Sequence, residues 1–90
     1  MRIRITDCDS KETWLYNVIW DKVRSNITSY EYIHMYDETL LDNVAIEMAV
    51  HKIFGNDATF YRDMSIRDYI YGVIRKNNKK IRHVFIFFEQ

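Results

Sequence analysis

The stretch ITDCDS sets Asp7 and Asp9 on either side of Cys8. Carboxylate oxygens are the ligands Mg²⁺ prefers, so two aspartates two positions apart at a strand end form a candidate metal pair, with His34 as a further donor. The same residues have a structural use, in which Asp9 caps a helix and Asp7 is solvated. No cation or base stands beside Cys8 to lower its pKa, so it reads as a small packing residue. A second constellation lies in DNVAIEMAVHKIF, where helical periodicity stacks Asn43, Glu47 and His51 one turn apart. Glu47 and His51 at i, i+4 also have metal-ligand spacing, but a third ligand must come from His34 or Asp37. The reading adopted is an interface in which this polar ridge, with Val50 and Phe54, fixes register between copies of the chain.

The third set is basic. RKNNKKIR brings Arg75, Lys79 and Lys80 together, and on a helix Arg67, Tyr71 and Arg75 share one outward ridge. Guanidinium groups beside an aromatic ring suit a phosphate or a stacked base. The ordinary use of such cations is to favour a helix C-terminus and solvate a turn. The fourth set, Tyr30, Tyr32, His34 and Tyr36, alternates along one strand face. It is a stacking surface if that face is open, and core if helices cover it.

The strand followed by Asp-x-Asp is similar to the opening of phosphoryl-transfer enzymes of the haloacid-dehalogenase type. That resemblance spans four residues and implies a metal-dependent hydrolase on Asp7 and Asp9; a chain of 90 residues is too short for that fold. Nucleophile-elbow, P-loop and paired-cysteine motifs are absent, and two glycines leave little for a phosphate-cradling loop. No catalytic residue and no cofactor is assigned.

Several elements must position these groups. RIRIT alternates as a half-buried strand. Asp9 and Glu12, at capping-box spacing, predict a helix with Trp14, Leu15, Val18 and Ile19 on one face, fraying near Ser25. SYEYIHMY reads as a strand from its aromatic and β-branched residues. A helix follows from Asp37 to Phe54, with Gly55-Asn56 as its C-cap. Its apolar arc, running through Leu40, Leu41, Val44 and Met48 and then Ile46, Val50 and Ile53, is wider than one sheet face covers. ATFY is an edge strand or an extended loop. Ile66, Tyr69, Ile70, Val73 and Ile74 have the spacing of an amphipathic helix starting at Ser65. Asn77-Asn78 turns the chain into KIRHVFIFFEQ, apolar on both faces and so a central or doubly covered strand. The expected fold is one α/β or α+β domain over 1–90, in the order β-α-β-α-(β)-α-β, with three helices on a three- to four-stranded sheet.

Bulk properties narrow the function. One cysteine excludes an internal disulfide and fits a reducing compartment. The N-terminus lacks the apolar core of a signal peptide, and VFIFF is too short to span a bilayer, so a cytoplasmic protein is expected, in the host cytoplasm if viral. Residue types with AT-rich codons (Phe, Tyr, Met, Ile, Asn, Lys) dominate, as in many bacteriophages and also in many low-GC bacteria. Net charge is zero, yet residues 25–51 carry five acidic side chains without Lys or Arg, and 52–84 carry eight basic against three acidic. Such sorting is either a chance alternation of solvated faces or the mark of a dipolar molecule that self-associates or presents an anion-binding end, while the overall neutrality argues against extended nucleic acid. The expectation is a small intracellular binding or regulatory protein without catalysis, homo-oligomeric, acting on a protein partner as a phage accessory or counter-defence protein does. The alternative is a binder of a nucleotide or other small phosphorylated ligand through Arg67, Tyr71, Arg75, Lys79 and Lys80.

Overall fold

A computed structural model describes residues 1–25, 38–66 and 68–90. They form β1 (Arg2–Asp7), β2 (Thr13–Asn17), α1 (Trp20–Ser25), α2 (Glu38–Phe54), β3 (Ala58–Ile66), β4 (Tyr69–Lys76) and β5 (Lys79–Glu89). The strands make one sheet in the order β2-β1-β5-β4-β3, with every neighbour antiparallel. The first and last strands pair along their whole shared length, from Arg2↔Glu89 to Asp7↔Val84. Both described helices lie on one face. Ala45, Ile46, Ala49 and Val50 of α2 are buried there with Ile3, Ile5, Ile74, Val84 and Ile86. Ala45 and Ala49 are small and let the α2 backbone approach the sheet closely.

This architecture corrects the expected three helices on a three- to four-stranded sheet. The segment 69–76 is a strand and not a third helix. Ile70, Gly72 and Ile74 face α2, while Tyr69, Tyr71 and Val73 face the other way. A strand with apolar residues on both faces also satisfies helical spacing, so periodicity alone did not discriminate. Local chemistry decides it. Tyr, Ile and Val are strand formers, and Asn77 and Asn78 both take positive φ, 53° and 63°, the geometry of a two-residue hairpin turn. Gly72 belongs to the same argument, because a Cβ there would sit 2.4 Å from the Tyr61 carbonyl oxygen.

The first expected helix is also largely a strand. Asp7, not Asp9, is the residue that caps: its Oδ1 accepts the backbone N–H groups of Asp9 and Ser10, both at 2.9 Å. That turn, closed with Lys11 at φ 66°, returns the chain as β2 against β1. Only Trp20–Ser25 is helical. The strand at RIRIT, the helix ending at Phe54 and the closing strand stand where the sequence places them, and ATFY opens the edge strand β3. Gly55, at φ 109°, donates to the His51 carbonyl at 3.0 Å and ends α2. The expected strand SYEYIHMY, with Tyr30, Tyr32, His34 and Tyr36, lies outside the described residues, as does Arg67.

Candidate functional site: the open face of the sheet

Alternation along each strand sends every second side chain away from the described helices, onto what is, among the described residues, the open face of the sheet. On β5 these are His83, Phe85 and Phe87, and on β4 they are Tyr69, Tyr71, Val73 and Arg75. Antiparallel register sets Tyr71 beside Phe85 and Val73 beside His83. Their rings form a continuous patch. Tyr69 meets Phe85 edge-on at 5.2 Å and Phe87 at 5.6 Å. Tyr71 stacks on His83 at 5.0 Å and lies 5.3 Å from Phe85. These spacings are those of favourable ring pairs. Towards the β3 edge the patch continues into Tyr61, Met64 and Ile66, which are 51%, 54% and 43% exposed.

Charge borders this surface. The Arg4 guanidinium lies 4.6 Å over the Phe87 ring, and its Nε is 2.7 Å from Glu89, which Arg2 also approaches at 3.1 Å. At the other end Arg75 sits 5.8 Å over the Tyr61 ring, and His83 is 3.8 Å from Asp63. Burial among its neighbours, with Cys8, Asp63 and Asp9 nearby, holds the Tyr71 hydroxyl above its ordinary pKa. It is therefore a neutral hydrogen-bond donor at physiological pH.

The residues singled out by sequence are distributed as follows. Tyr71 and Arg75 share the open face, because i, i+4 falls on one side of a strand as well as of a helix. Lys80 stands opposite Arg75 in the register, and Lys79 opposite Lys76; both are exposed. Lys76 is held within the fold by the Phe54 carbonyl at 3.0 Å and Asp57 at 3.4 Å.

The Asn43–Glu47–His51 ridge is engaged inside the chain. Asn43 Oδ1 accepts from the Arg62 guanidinium, Glu47 Oε1 accepts the Phe60 N–H at 3.3 Å, and His51 Nε2 lies 3.3 Å from Glu47 Oε2. These side chains tie α2 to the outer edge of β3. Val50 is fully buried, and Phe54 packs edge-on against Trp14 at 5.0 Å.

Asp7 is 5% exposed and its second oxygen meets Arg82 at 3.1 Å. Arg82 in turn covers Trp14 at 4.7 Å. The Ser10 N–H bond is the largest of the effects that hold the Asp7 carboxyl below its usual range, against the opposing effect of burial. This aspartate is spoken for by two backbone donors and a cation. Burial, then Asp7 and Asp9, raises the Cys8 thiol pKa, the reverse of what a nucleophile needs. Among the described residues no cluster of three or more His, Cys, Asp or Glu is arranged to hold a metal ion, and no helix is long and apolar enough to cross a membrane.

The arrangement suits recognition by contact: a broad aromatic surface with a charged rim. Sequence reasoning missed Tyr69, Phe85 and Phe87 as surface groups, because an apolar strand carries no mark of which face its neighbours cover. Comparison with protein-family models, curated proteins and solved structures finds no match to this chain.

Proposed function

We propose that this chain is a non-catalytic binding protein whose working surface is the open face of the sheet, and that its partner is a protein. One observation carries the reading. Tyr69, Tyr71, His83, Phe85 and Phe87 form one ring network on the side opposite both described helices. The five rings are half-buried against one another, and beside them Tyr61, Met64 and Ile66 are exposed; contiguous exposed apolar surface is uncommon on soluble domains and marks interaction sites. Tyr, Phe and Arg are the residues that dominate interface energetics, inside a polar rim. Each ring is already partly buried, so covering it with a partner contributes less than the roughly 1.5–3 kcal/mol of a fully exposed side chain, before association costs. Residue usage of the kind that many phage genes share fits an accessory or counter-defence role, in which the protein occupies a host protein in the cytoplasm.

The test is differential retention. Immobilised wild type, a Tyr71→Ala/Phe85→Ala variant and a helix-side control, Lys52→Glu, are exposed to the same host extract. A protein held by wild type and control but lost by the double variant supports the proposal. Equal retention on all three contradicts it.

A second reading is favoured by one specific observation: Tyr71 and Arg75 share a face, with Lys80 opposite Arg75. That corner suits a small phosphorylated ligand, with the base on Tyr71 and the phosphate on the cations. Salt-sensitive thermal stabilisation by millimolar nucleotide, absent in Arg75→Ala, is its expected signature.

A further inference from the structure

The two outer edges of the sheet are treated differently. The edge of β3 is blunted in three ways. Glu47 accepts its Phe60 N–H, the Ala58 N–H bonds to the Gly55 carbonyl at 3.1 Å, and the register shifts between Arg62 and Met64. Charge, capping and bulges are the devices that stop an edge from pairing. The edge of β2 has none of them. TWLYN contains no charge, proline or bulge, and it pairs with β1 in unbroken register.

The parity of β2 follows from its flanking bonds. Asp7 N–H donates to the Glu12 carbonyl and Val18 N–H to the Met1 carbonyl, both linking the two strands. Residues 14 and 16 therefore point their backbone groups at β1, and Thr13, Leu15 and Asn17 point theirs outward. Among the described residues no hydrogen bond is recorded to those outward groups. Leu15 and, just beyond the strand, Ile19 are 54% and 52% exposed.

We propose that a second copy of this chain pairs with β2, antiparallel about a two-fold axis at Leu15, to give a continuous ten-stranded sheet. The register is self-complementary. Leu15 meets its own copy, Thr13 meets Asn17, and Trp14 meets Tyr16 on the helix side, with no like charges opposed. A five-residue edge spans only about 17 Å. Alone it falls short of the roughly 1,000 Å² a stable interface needs, so Ile19, Trp14 and Tyr16 must supply the rest. The dimer is accordingly weak, with a dissociation constant in the micromolar range. The axis stands perpendicular to the sheet, so both open faces end on the same side and a divalent partner gains avidity. An extended peptide from another protein would use the same edge; the self-matched register selects the second copy. This inference is independent of the open-face reading.

The experiment is native mass spectrometry and light scattering from about 5 to about 500 µM, bracketing a micromolar constant. The comparison is wild type against Leu15→Pro. Proline removes only the outward N–H and is tolerated on an edge strand. Leu15→Lys, which sets two charges together on the axis, serves if the proline variant does not fold. The proposal expects wild type to move from 11.0 kDa toward twice that mass, and the folded variant to stay monomeric throughout. Wild type monomeric at the highest concentration overturns it, as does a dimer that survives either substitution with circular dichroism unchanged.

Discussion

Replacing Arg82 tests whether the Asp7 cluster holds the β1–β2 turn to the centre of the sheet. Asp7 is 5% exposed, and Arg82 Nη1 approaches it at 3.1 Å while the guanidinium covers Trp14. Removing one member of a buried pair costs about 3–5 kcal/mol. Two considerations lower that figure here. The Arg82 side chain is 29% exposed, and Asp7 keeps its bonds to Asp9 and Ser10. Arg82→Met, which retains most of the stem over Trp14, therefore destabilises by about 2 kcal/mol. A domain of this size has roughly 5–13 kcal/mol in total. The assay is urea unfolding at pH 7, where the midpoint should fall with an unchanged slope. A cycle with Asp7→Asn should return a coupling of about 1–2 kcal/mol. Acid unfolding gives a second readout. The folded Asp7 pKa lies below its ordinary 3.8, so its contribution is complete above that value and is lost as pH falls through the folded pKa. In Arg82→Met the folded pKa rises, and the acid-side loss begins at higher pH. A coupling under about 0.5 kcal/mol, with an unmoved acid limb, would refute the reasoning.

Glu47→Ala uncovers the Phe60 N–H and frees His51; it should cost about 1 kcal/mol and speed hydrogen exchange at Phe60, leaving exchange in β5 unchanged. Gly72→Ala forces a Cβ to within 2.4 Å of the Tyr61 carbonyl; a loss above about 3 kcal/mol, or failure to fold, is expected in a melting experiment. Ile86→Ala, on the covered face, should cost about 3–4 kcal/mol, whereas Phe87→Ala, beneath Arg4 on the open face, should cost about half as much; equal losses by denaturant titration would contradict the two-layer account.

Three elements were legible because their signals are local. Alternation in RIRIT, the glycine cap after Phe54 and the apolar run HVFIFF each depend on neighbours in sequence. The segment 69–74 misled because a strand buried on one face and aromatic on the other fills both parities. Helical spacing then appears by coincidence, and Gly72, the aromatic content and Asn77-Asn78 were the better guides. The stretch 9–19 misled because Asp7 could cap from two residues earlier, so the chain reversed before a helix began. The polar ridge on α2 was visible, but its use was not. Glu47 finds the Phe60 N–H only once β3 lies at the sheet edge, a long-range fact. For the same reason the open face was invisible: the apolar sides of β5 are alike in sequence, and only the packing of α2 distinguishes Ile86 from Phe87. Tyr71 and Arg75 emerged as a pair under the wrong geometry, because four residues return to the same side in a strand as well as a helix.

The most direct test of the open face as a binding surface is site-specific photocrosslinking in cells that produce the protein. Benzoylphenylalanine replaces Tyr71 in one sample and Lys52, on the helix side, in another. The account predicts a discrete adduct from position 71, heavier than 11.0 kDa and distinct from twice that mass, with none from position 52. Crosslinks from position 52 alone, or equal adducts from both, would contradict it.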